Sequence, residues 1–549
     1  MKAISKISGI TILSTGLALF TMCTKNQKVD TLVVNANIYT VDSTFSKHQA
    51  MAIANGKVVE LGTTEDIQAK YSAPEVINAQ GKSIYPGLHD PHSHFLGYGL
   101  TLRNANLSGS GSWSEVVTRL VEHHAKFPST WVEGRGWNQN EWDIKEFPTK
   151  DLLDKAFPDN PVLLIRVDGH AAIANSKALE IAGVNESSAV DGGSLIKQNG
   201  KLTGVLIDNA IELVRKVVPA PSTQEKQNAL FQAQANCFKV GLTSVSDAGT
   251  DLADVLLFDS LQKSGELTMR IYTMLNPTEE NIKHFVEKGV YQTPKLTVSS
   301  IKLFADGALG SRGALLIEPY SDDVNNHGLQ LEPTAKYMEI AQIAHTNGYQ
   351  VNTHCIGDAA VRFCLDVYAN YLEPNNDRRW RIEHAQIVHP NDLNRFGELK
   401  VVPSIQSTHA TSDMYWADER LGKRISYAYT YQQLLQQNGW LPNGSDFPIE
   451  SINPIFGFYA AVARKDQKGY PEGGFQPENA LTREQALRAM TIWAAKANFE
   501  DSFKGSLEKG KVADFVILDR DILAAPESTL FETEVLATYI DGKAVYLKQ

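Results

Sequence analysis

The chain has 549 residues, 43% of them hydrophobic and 21% charged, with a formal net charge of -11. This length is too great for one compact core, so we expect two or three structural units, and the composition excludes a largely disordered protein. The negative charge disfavours nucleic acid and anionic membrane surfaces as partners, but it says nothing about small substrates.

Residues 1–23 form a segment unlike the rest of the chain. Lys2 and Lys6 precede a short apolar stretch, and Cys23 follows it. A basic start before a short apolar run is typical of an export signal, and this run is too short to span a membrane. Cys23 resembles the lipidated cysteine of bacterial lipoproteins, although Met22 stands where a small residue is usual. We therefore expect an exported protein, periplasmic or held at a membrane only by a lipid anchor. A secreted protein cleaved nearby, or an uncleaved anchor, is the alternative.

Both ends of the sequence that follows the export signal are rich in short strand-like runs. Residues 31–41 are β-branched and partly alternating, and the dipeptides Asn55-Gly56 and Asp541-Gly542 each join two strand-like runs as a hairpin. Neither end has enough strands for a stable sheet by itself. We predict that residues 28–85 and 506–549 pack together as one small β-sandwich domain.

Between these ends, strand-like apolar runs alternate with helical segments, which predicts a parallel sheet. A (β/α)8 TIM barrel requires eight strands, and we assign it to residues 86–104 and 219–505. Thr482-Arg-Glu-Gln485 is a capping box that begins one of its helices. The candidate strands cover residues 84–89, 242–247, 270–275, 296–304, 349–354, 381–386, 401–405 and 441–446.

The connection over residues 105–218 is much longer than a strand–helix loop needs. It contains Trp131, Trp137 and Trp142, a strand-like run over 162–167 and helical stretches. Because this connection begins soon after His92 and His94, we predict that it is an inserted subdomain that covers the mouth of the barrel.

Four histidines at the ends of apolar runs are candidate metal ligands. His92 and His94 are two residues apart, so on a strand they face the same side and can bind one ion. His354 and His384 add imidazoles from later strands, although a lone buried histidine more often only satisfies hydrogen bonds. Strand alternation turns Glu383 away from His384, which predicts a structural role for Glu383. Imidazole and carboxylate ligands suit zinc, as one or two ions, and leave iron, manganese and nickel open.

Two further polar residues complete the predicted site. Lys302 lies in an otherwise apolar strand, where an amine is unfavourable unless it is paired, neutral or modified. Carboxylation by carbon dioxide would make it a carboxylate that bridges two metals, and a salt bridge to Asp306 or Asp247 is the alternative. Asp446 ends the last candidate strand, where it can take a proton from water at a metal and deliver it to a leaving group. A helix N-cap is the alternative role for Asp446.

Together these segments resemble the metal-dependent amidohydrolase superfamily, in the branch that includes N-substituted formamide deformylases. The resemblance covers most of the chain beyond the export signal, and it also guided the count of eight strands. Besides the β-domain, it rests on the following motifs: His92-Ser-His94, Lys302-Leu-Phe-Ala-Asp-Gly307, Thr353-His-Cys-Ile-Gly-Asp358, Arg381-Ile-Glu-His-Ala-Gln386 and Gly444-Ser-Asp-Phe-Pro448.

The resemblance implies roles for the ligand residues. His92, His94 and Asp446 would hold a first metal, and Asp446 would also be the proton shuttle. His354 and His384 would hold a second metal, and carboxylated Lys302 would bridge the two.

The resemblance also implies substrate contacts. Arg135, Trp137 and His170 match motifs of the branch and are expected to line the pocket. Arg312, just after the Lys302 strand, is expected to bind a carboxylate or oxyanion through two hydrogen bonds. Gln406, after the seventh candidate strand, is expected to reach the pocket as well. Packing within the subdomain is the alternative for Arg135 and Trp137.

The expected reaction is hydrolysis of a non-peptide carbon–nitrogen bond in an N-acyl, N-formyl or cyclic amide. The same site would cleave carboxylic esters, so an esterase or lactonase is an alternative. A non-catalytic surface binding protein is an alternative of another class, but it predicts a missing ligand, whereas all six are present. A small-molecule substrate is the expected partner, and the sequence leaves a homo-oligomer open.

Overall fold

The computed structural model describes residues 26–102 and 104–549. The predicted export signal over 1–23, including Cys23, lies outside these residues and stays a prediction. In the described ranges, no helix has both the length and the apolar character needed to cross a membrane.

A nearly closed parallel barrel lies at the centre of the protein, which confirms the predicted fold class. In the part of the chain that the structure describes, seven strands are parallel, and the short strand Tyr291–Gln292 adds antiparallel to one of them. In spatial order the parallel strands are Leu88–Ser93, Leu242–Thr250, Arg270–Leu275, Leu296–Phe304, Gln350–Cys355, Arg381–His384 and Val402–Ser404.

The eighth position is filled by an extended segment over 441–446 rather than by a regular strand. Gly444 N donates to Ile405 O at 2.9 Å, next to the last regular strand. On the other side, Asp446 N donates to His92 O at 2.8 Å, in the first strand. Ile405 N also donates to Pro442 O, and His94 N donates to Phe447 O, so the segment closes the barrel with two backbone hydrogen bonds on each side instead of a regular ladder.

The first barrel strand begins later than predicted. Ser83–Pro86 pairs antiparallel with Phe515–Leu518 in the small domain, and the barrel strand begins at Leu88. Gly87 separates the two strands, and a Cβ at this position would lie only 2.2 Å from Thr243 Oγ1. One apolar run thus forms two consecutive strands in two different sheets. The glycine between them lies where the chain passes close to Thr243.

The small domain combines strands from both ends of the chain, and both predicted hairpins are present. It is joined to the barrel by Arg270, which forms ion pairs with Asp514 and Asp541 at 2.6 Å each. One sheet has the order Lys57–Gly62, Ala50–Ala54, Thr31–Val34 and Glu75–Asn78. The other has the order Lys543–Leu547, Val535–Ile540, Phe515–Leu518, Ser83–Pro86, Asn37–Tyr39 and Lys47–His48. The helix Thr64–Lys70 packs on the first sheet, and Gln27–Lys28 pairs with Tyr71–Ser72.

The long connection after the first barrel strand folds as a separate sheet with its own helices, here called the lid. Its strands are, in spatial order, Ala105–Asn106, Val132–Trp137, Val162–Arg166, Ala171–Ala174, Lys201–Asp208 and Gly193–Gln198. Its helices are Trp113–Lys126, Asp151–Ala156, Ser176–Ala182 and Glu212–Arg215.

Helices of the barrel region connect the strands and cover the outside. Arg483–Ala489 begins with the predicted capping box, in which the side chains of Thr482 and Gln485 bond reciprocally to backbone N–H groups. The other α-helices are Phe95–Thr101, Thr223–Lys239, Leu252–Ser264, Glu279–His284, Thr334–Asn347, Asp358–Tyr368, Leu393–Leu399, Ser407–Asp413, Ala417–Leu421, Tyr431–Asn438, Pro454–Ala463 and Ile492–Ala497.

Candidate metal centre

The predicted ligands meet at the rim where the barrel strands end, because parallel strands direct their carboxyl ends to one face. They line a cavity of about 180 Å³, here called the inner cavity. The ligands in its wall are His92, His94, Lys302, His354, His384 and Asp446.

The spacing of the ligand atoms suits a metal ion. His92, His384 and Asp446 offer ligand atoms that lie within 4.8 Å of one another. Asp446 Oδ1 is 3.1 Å from His94 Nε2 and 3.4 Å from His92 Nε2. In a tetrahedral site with bonds of about 2.0 Å, neighbouring ligand atoms lie about 3.3 Å apart. His92 and His94 are therefore already at the separation from Asp446 that one shared ion requires.

Three of the imidazoles are held so that Nε2 faces the centre. The Nδ1 partners are Glu383 Oε2 at 2.5 Å for His92, the Ala248 carbonyl O at 3.0 Å for His94 and Gln406 Oε1 at 2.7 Å for His384. Because each partner accepts the Nδ1 proton, Nε2 carries a lone pair. Asp446 Oδ1 is buried and accepts no hydrogen bond from the described residues. Facing lone pairs without a proton between them repel, so this donor set fits a divalent cation.

Burial sets the charge of these groups. It lowers the pKa of His92, His354 and His384, so these imidazoles are neutral, which is the form that binds metals. Burial also lowers the pKa of Lys302 to about 8. For Asp446 burial acts in the opposite direction, but His92 and His94 hold the pKa of this carboxyl well below its usual range.

The backbone around Asp446 is constrained from several sides. Asp446 has φ +59 and His384 has φ +72, values that non-glycine residues adopt only when the surroundings impose them. The Asp90 carboxylate accepts hydrogen bonds from His92 N and from both N and Oγ of Ser445. Asp90 therefore ties the first strand to the closing segment, which fixes Asp446 against the two histidines.

Lys302 reaches the same centre without an acidic partner. Its Nζ lies 3.3 Å from His92 Nε2. None of the ion pairs among the described residues involves Lys302, and the alternative partners Asp306 and Asp247 accept backbone N–H groups instead. The alternative of a salt bridge is therefore wrong for this structure.

His354 stands slightly apart from the other imidazoles. Its ring centroid is 4.5 Å from that of His384, but its Nε2 lies 3.5 Å from the Gly307 carbonyl. The resemblance assigned His384 to a second ion with His354, whereas the structure places the His384 ligand atom in the cluster with His92 and Asp446. A second compact cluster is not found among the described residues.

Glu383 belongs to the centre, although strand alternation predicted only a structural role. The fully buried carboxylate contacts His92 Nδ1 through Oε2 and lies 2.8 Å from Arg381 Nε through Oε1. Burial would raise its pKa, but Arg381 and His92 lower it to about 2. The sequence did carry a signal, since Arg381 and Glu383 are two apart on one strand and form a buried pair of opposite charges.

Two of the residues predicted to contact substrate lie in a cavity wall. Arg135 lines a second cavity of about 700 Å³, here called the side chamber, and His170 lines both cavities. His170 Nδ1 is 2.7 Å from Asp208 Oδ1, and this carboxylate raises the pKa of His170 although burial opposes it. Six residues line both cavities: His94, Asp168, His170, Lys302, Phe304 and Ile449.

The other three predicted contacts are corrected by the structure. Trp137 is fully buried in the core of the lid, where its Nε1 donates to Leu164 O, so the packing alternative holds. Arg312 forms an ion pair with Asp322 at 2.9 Å and lines neither cavity. Gln406 is buried and acts through His384 rather than on the cavity.

The chain is similar to several known proteins. A sequence profile described as "Amidohydrolase family" (Amidohydro_3) matches residues 75–546. The chain is 35% identical over 538 residues to Protein LONG AFTER FAR-RED 3 of Arabidopsis thaliana, covering 94% of this chain and 91% of that protein. It is 27% identical over 547 residues to N-substituted formamide deformylase of Arthrobacter pascens, covering 95% and 99%. The crystal structure of an uncharacterized metal-dependent hydrolase from Pyrococcus horikoshii OT3 matches with a TM-score of 0.74 at 30% identity, covering 90% and 99%.

Proposed function

Because the chain belongs to the amidohydrolase family and is a metal-dependent hydrolase, we propose that it cleaves a carbon–nitrogen bond other than a peptide bond. The substrate would be an N-acyl, N-formyl or cyclic amide. The observation that carries this proposal is the buried Asp446 carboxylate, which faces the imidazoles of His92 and His94 inside the inner cavity. The name of the Arthrobacter relative favours the N-formyl class among the three.

The ligand set supports zinc as the metal, held by His92, His94 and Asp446 with His384 beside them. A divalent ion at this centre would polarise a carbonyl group and lower the pKa of water toward about 7. A second ion would use His354 together with His384 and Lys302.

The remaining steps depend on residues of the chain itself. The Asp446 carboxylate takes a proton from the attacking water and then delivers it to the departing nitrogen, which leaves as a neutral amine. Glu383 and Gln406 keep His92 and His384 in the tautomer that the centre needs. The lid covers the centre through residues such as Val167 and His170, which limits the entry of bulk water.

A panel of matched amides and esters tests the proposed bond. Each amide, whether N-formyl, N-acetyl or cyclic, is paired with the ester of the same acyl group. We expect zinc-loaded protein to hydrolyse at least one amide of the panel, measured as release of the free amine. Hydrolysis of esters alone would overturn the carbon–nitrogen assignment in favour of an esterase or lactonase. If the protein binds zinc but hydrolyses no amide and no ester of the panel, the result would favour a non-catalytic binding protein.

We also propose that Lys302 is carboxylated. Its Nζ is buried beside His92 and has no acidic partner among the described residues, and burial lowers its pKa to about 8, which increases the share of the neutral amine. The nitrogen lone pair would form a bond to the carbon of carbon dioxide, and one nitrogen proton would leave to solvent. The resulting carboxylate would add an anionic ligand to a centre that is rich in imidazole.

Carbon-13 NMR of protein loaded with zinc and ¹³C-bicarbonate tests this modification. We expect a carbamate carbon signal in the wild-type protein and none in Lys302→Gln, whose zinc content also falls. Lys504→Gln is the control, because Lys504 is equally buried but forms an ion pair with Glu500. A carbamate signal that survives in Lys302→Gln, or its absence from zinc-loaded wild-type protein, would contradict the proposal.

A further inference from the structure

The side chamber contains an arginine that forms no ion pair with any carboxylate of the described residues. Arg135 lies on the lid strand Val132–Trp137, and its side chain is partly buried. Its only hydrogen bond within the described residues runs from Nη2 to Val167 O, at 3.0 Å. The buried Nε has no partner, although a guanidinium has five N–H groups to donate.

The fully buried arginines of the described residues each have a carboxylate partner or at least two backbone carbonyl acceptors. Four form ion pairs: Arg166 with Asp168, Arg270 with Asp514, Arg381 with Glu383 and Arg420 with Asp322. Arg464 has no carboxylate, but it donates to the backbone carbonyls of Phe475 and Tyr429. Arg135 therefore differs from the rest in offering both its charge and its donors to a cavity.

Several charged groups near Arg135 are already paired with one another. In the wall of the side chamber, Asp168 pairs with Arg166, Asp208 with His170, and Arg215 with Glu212. Burial lowers the pKa of Arg135 to about 10, so the guanidinium is still cationic at neutral pH. A partly desolvated cation without a counter-charge is unfavourable, and an anion that enters the chamber would remove this penalty.

The lid backbone passes directly beside the guanidinium at Gly169. Gly169 has φ +78, and a Cβ at this position would lie 3.4 Å from Nη2 and 3.7 Å from Nη1 of Arg135. The glycine therefore lets the chain pass close to the guanidinium while His170, the next residue, reaches the metal centre. The same short segment thus connects the anion position to the reacting position.

The chamber is large enough for a substituent as well as a charge. Its volume is about 700 Å³, and its wall includes the apolar side chains of Ile211, Leu303, Phe304, Tyr337 and Ile449. It shares His94 and Lys302 with the inner cavity, so a bound molecule can extend from Arg135 to the metal centre.

We propose that Arg135 binds a carboxylate of the substrate, so that the preferred substrates are amides carrying a carboxylate group and an apolar substituent. This inference rests on the proposed function, because it assumes that the adjoining centre cleaves an amide. The planar guanidinium, with its Nε and Nη donors, can take a carboxylate through two hydrogen bonds. This gives Arg135 the carboxylate-binding role that was expected of Arg312 from its position after the Lys302 strand.

Racemic N-formylphenylalanine and racemic N-formylphenylalaninamide test the proposal, because they have nearly the same shape and differ in charge. We expect zinc-loaded wild-type protein to bind the carboxylate member more tightly by calorimetry and to turn it over with higher kcat/KM. Arg135→Gln should lower the affinity and the kcat/KM for N-formylphenylalanine by about 10- to 100-fold. It should leave both values unchanged for the neutral N-formylphenylalaninamide. Arg135→Lys keeps the charge but not the planar pair of donors, so its affinity for N-formylphenylalanine should lie between those of the wild type and Arg135→Gln.

Arg312→Gln is the matched control, since Arg312 lies outside both cavities and should leave the two probes unaffected. If the affinity and kcat/KM for the neutral probe are unchanged, each Arg135 variant is folded. The proposal is overturned if wild-type protein binds neither probe or prefers the neutral one, or if Arg135→Gln weakens both probes equally. If the protein cleaves only esters, the carbon–nitrogen proposal fails separately. Arg135 is then judged by the same comparison on a carboxylate-bearing ester and its neutral analogue.

Discussion

Asp446→Asn lowers kcat by about 10²- to 10⁴-fold on whichever amide the wild-type protein cleaves, because it removes the proposed proton carrier. Asparagine keeps the size and the carbonyl oxygen of the side chain, so the hydrogen bond from Asp446 N to His92 O is retained. The amide cannot hold a proton between water and the leaving nitrogen. Zinc content, measured on the same samples, should stay substantial because His92, His94 and His384 are unchanged.

Asp413→Asn is the control for this experiment. Asp413 also lies in the wall of the inner cavity, but its carboxylate accepts hydrogen bonds from Tyr429 and Gln386 instead of facing the histidines. A loss of turnover that is specific to Asp446 therefore separates proton transfer from a general change in cavity charge. An Asp446→Asn protein that binds zinc and turns over at a near-normal rate would remove the shuttle role.

The elements that the sequence predicted well are those whose signal is local. The His92-x-His94 spacing, the Asn55-Gly56 hairpin and the capping box at Thr482 each depend on residues within one turn or one strand. Such signals are read directly from side-chain periodicity and turn chemistry. The convergence of distant ligands was also predictable, because a parallel barrel brings all of its strand ends to one rim.

The misplaced elements depend on which partner a segment finds in space. The apolar run around Gly87 looks like one strand, but Ser83–Pro86 pairs with the carboxyl-terminal strand Phe515–Leu518. The closing segment at Asp446 has φ +59 at the ligand itself, a conformation that alternation rules do not include. Neither long-range pairing nor an imposed backbone conformation is visible from neighbouring residues in sequence.

The polar residues show the same division. Arg135, Trp137 and Arg312 have side chains that the sequence cannot rank, since each could be buried, paired or free. Only the tertiary structure shows that Trp137 is packed in the lid, that Arg312 is paired with Asp322 and that Arg135 lacks a carboxylate. Arg135 is thus distinguished from Trp137 and Arg312 by the partner that it lacks.

Glu383→Gln should weaken zinc binding by about 10- to 100-fold, as measured by competition with a chelating dye. The carboxylate accepts the Nδ1 proton of His92, and its negative charge makes the opposite nitrogen a better ligand. Glutamine can still accept that hydrogen bond through its oxygen, but it cannot supply the charge. It also leaves the Arg381 guanidinium, which is fully buried, without its counter-charge. We therefore expect the metal-free variant to lose about 3–5 kcal/mol of unfolding free energy in denaturant.

Glu500→Gln separates these two effects. Glu500 is a buried carboxylate paired with Lys504, and it contacts Thr297 at the beginning of the barrel strand Leu296–Phe304, the opposite end from Lys302. Its replacement should destabilise the metal-free protein in the same way and leave zinc affinity unchanged. If both variants lose zinc affinity equally, the effect of Glu383 is only a loss of folding stability. If zinc affinity is unchanged in Glu383→Gln, its carboxylate does not tune His92, and the orientation of that ligand must come from Asp90 and the strand alone.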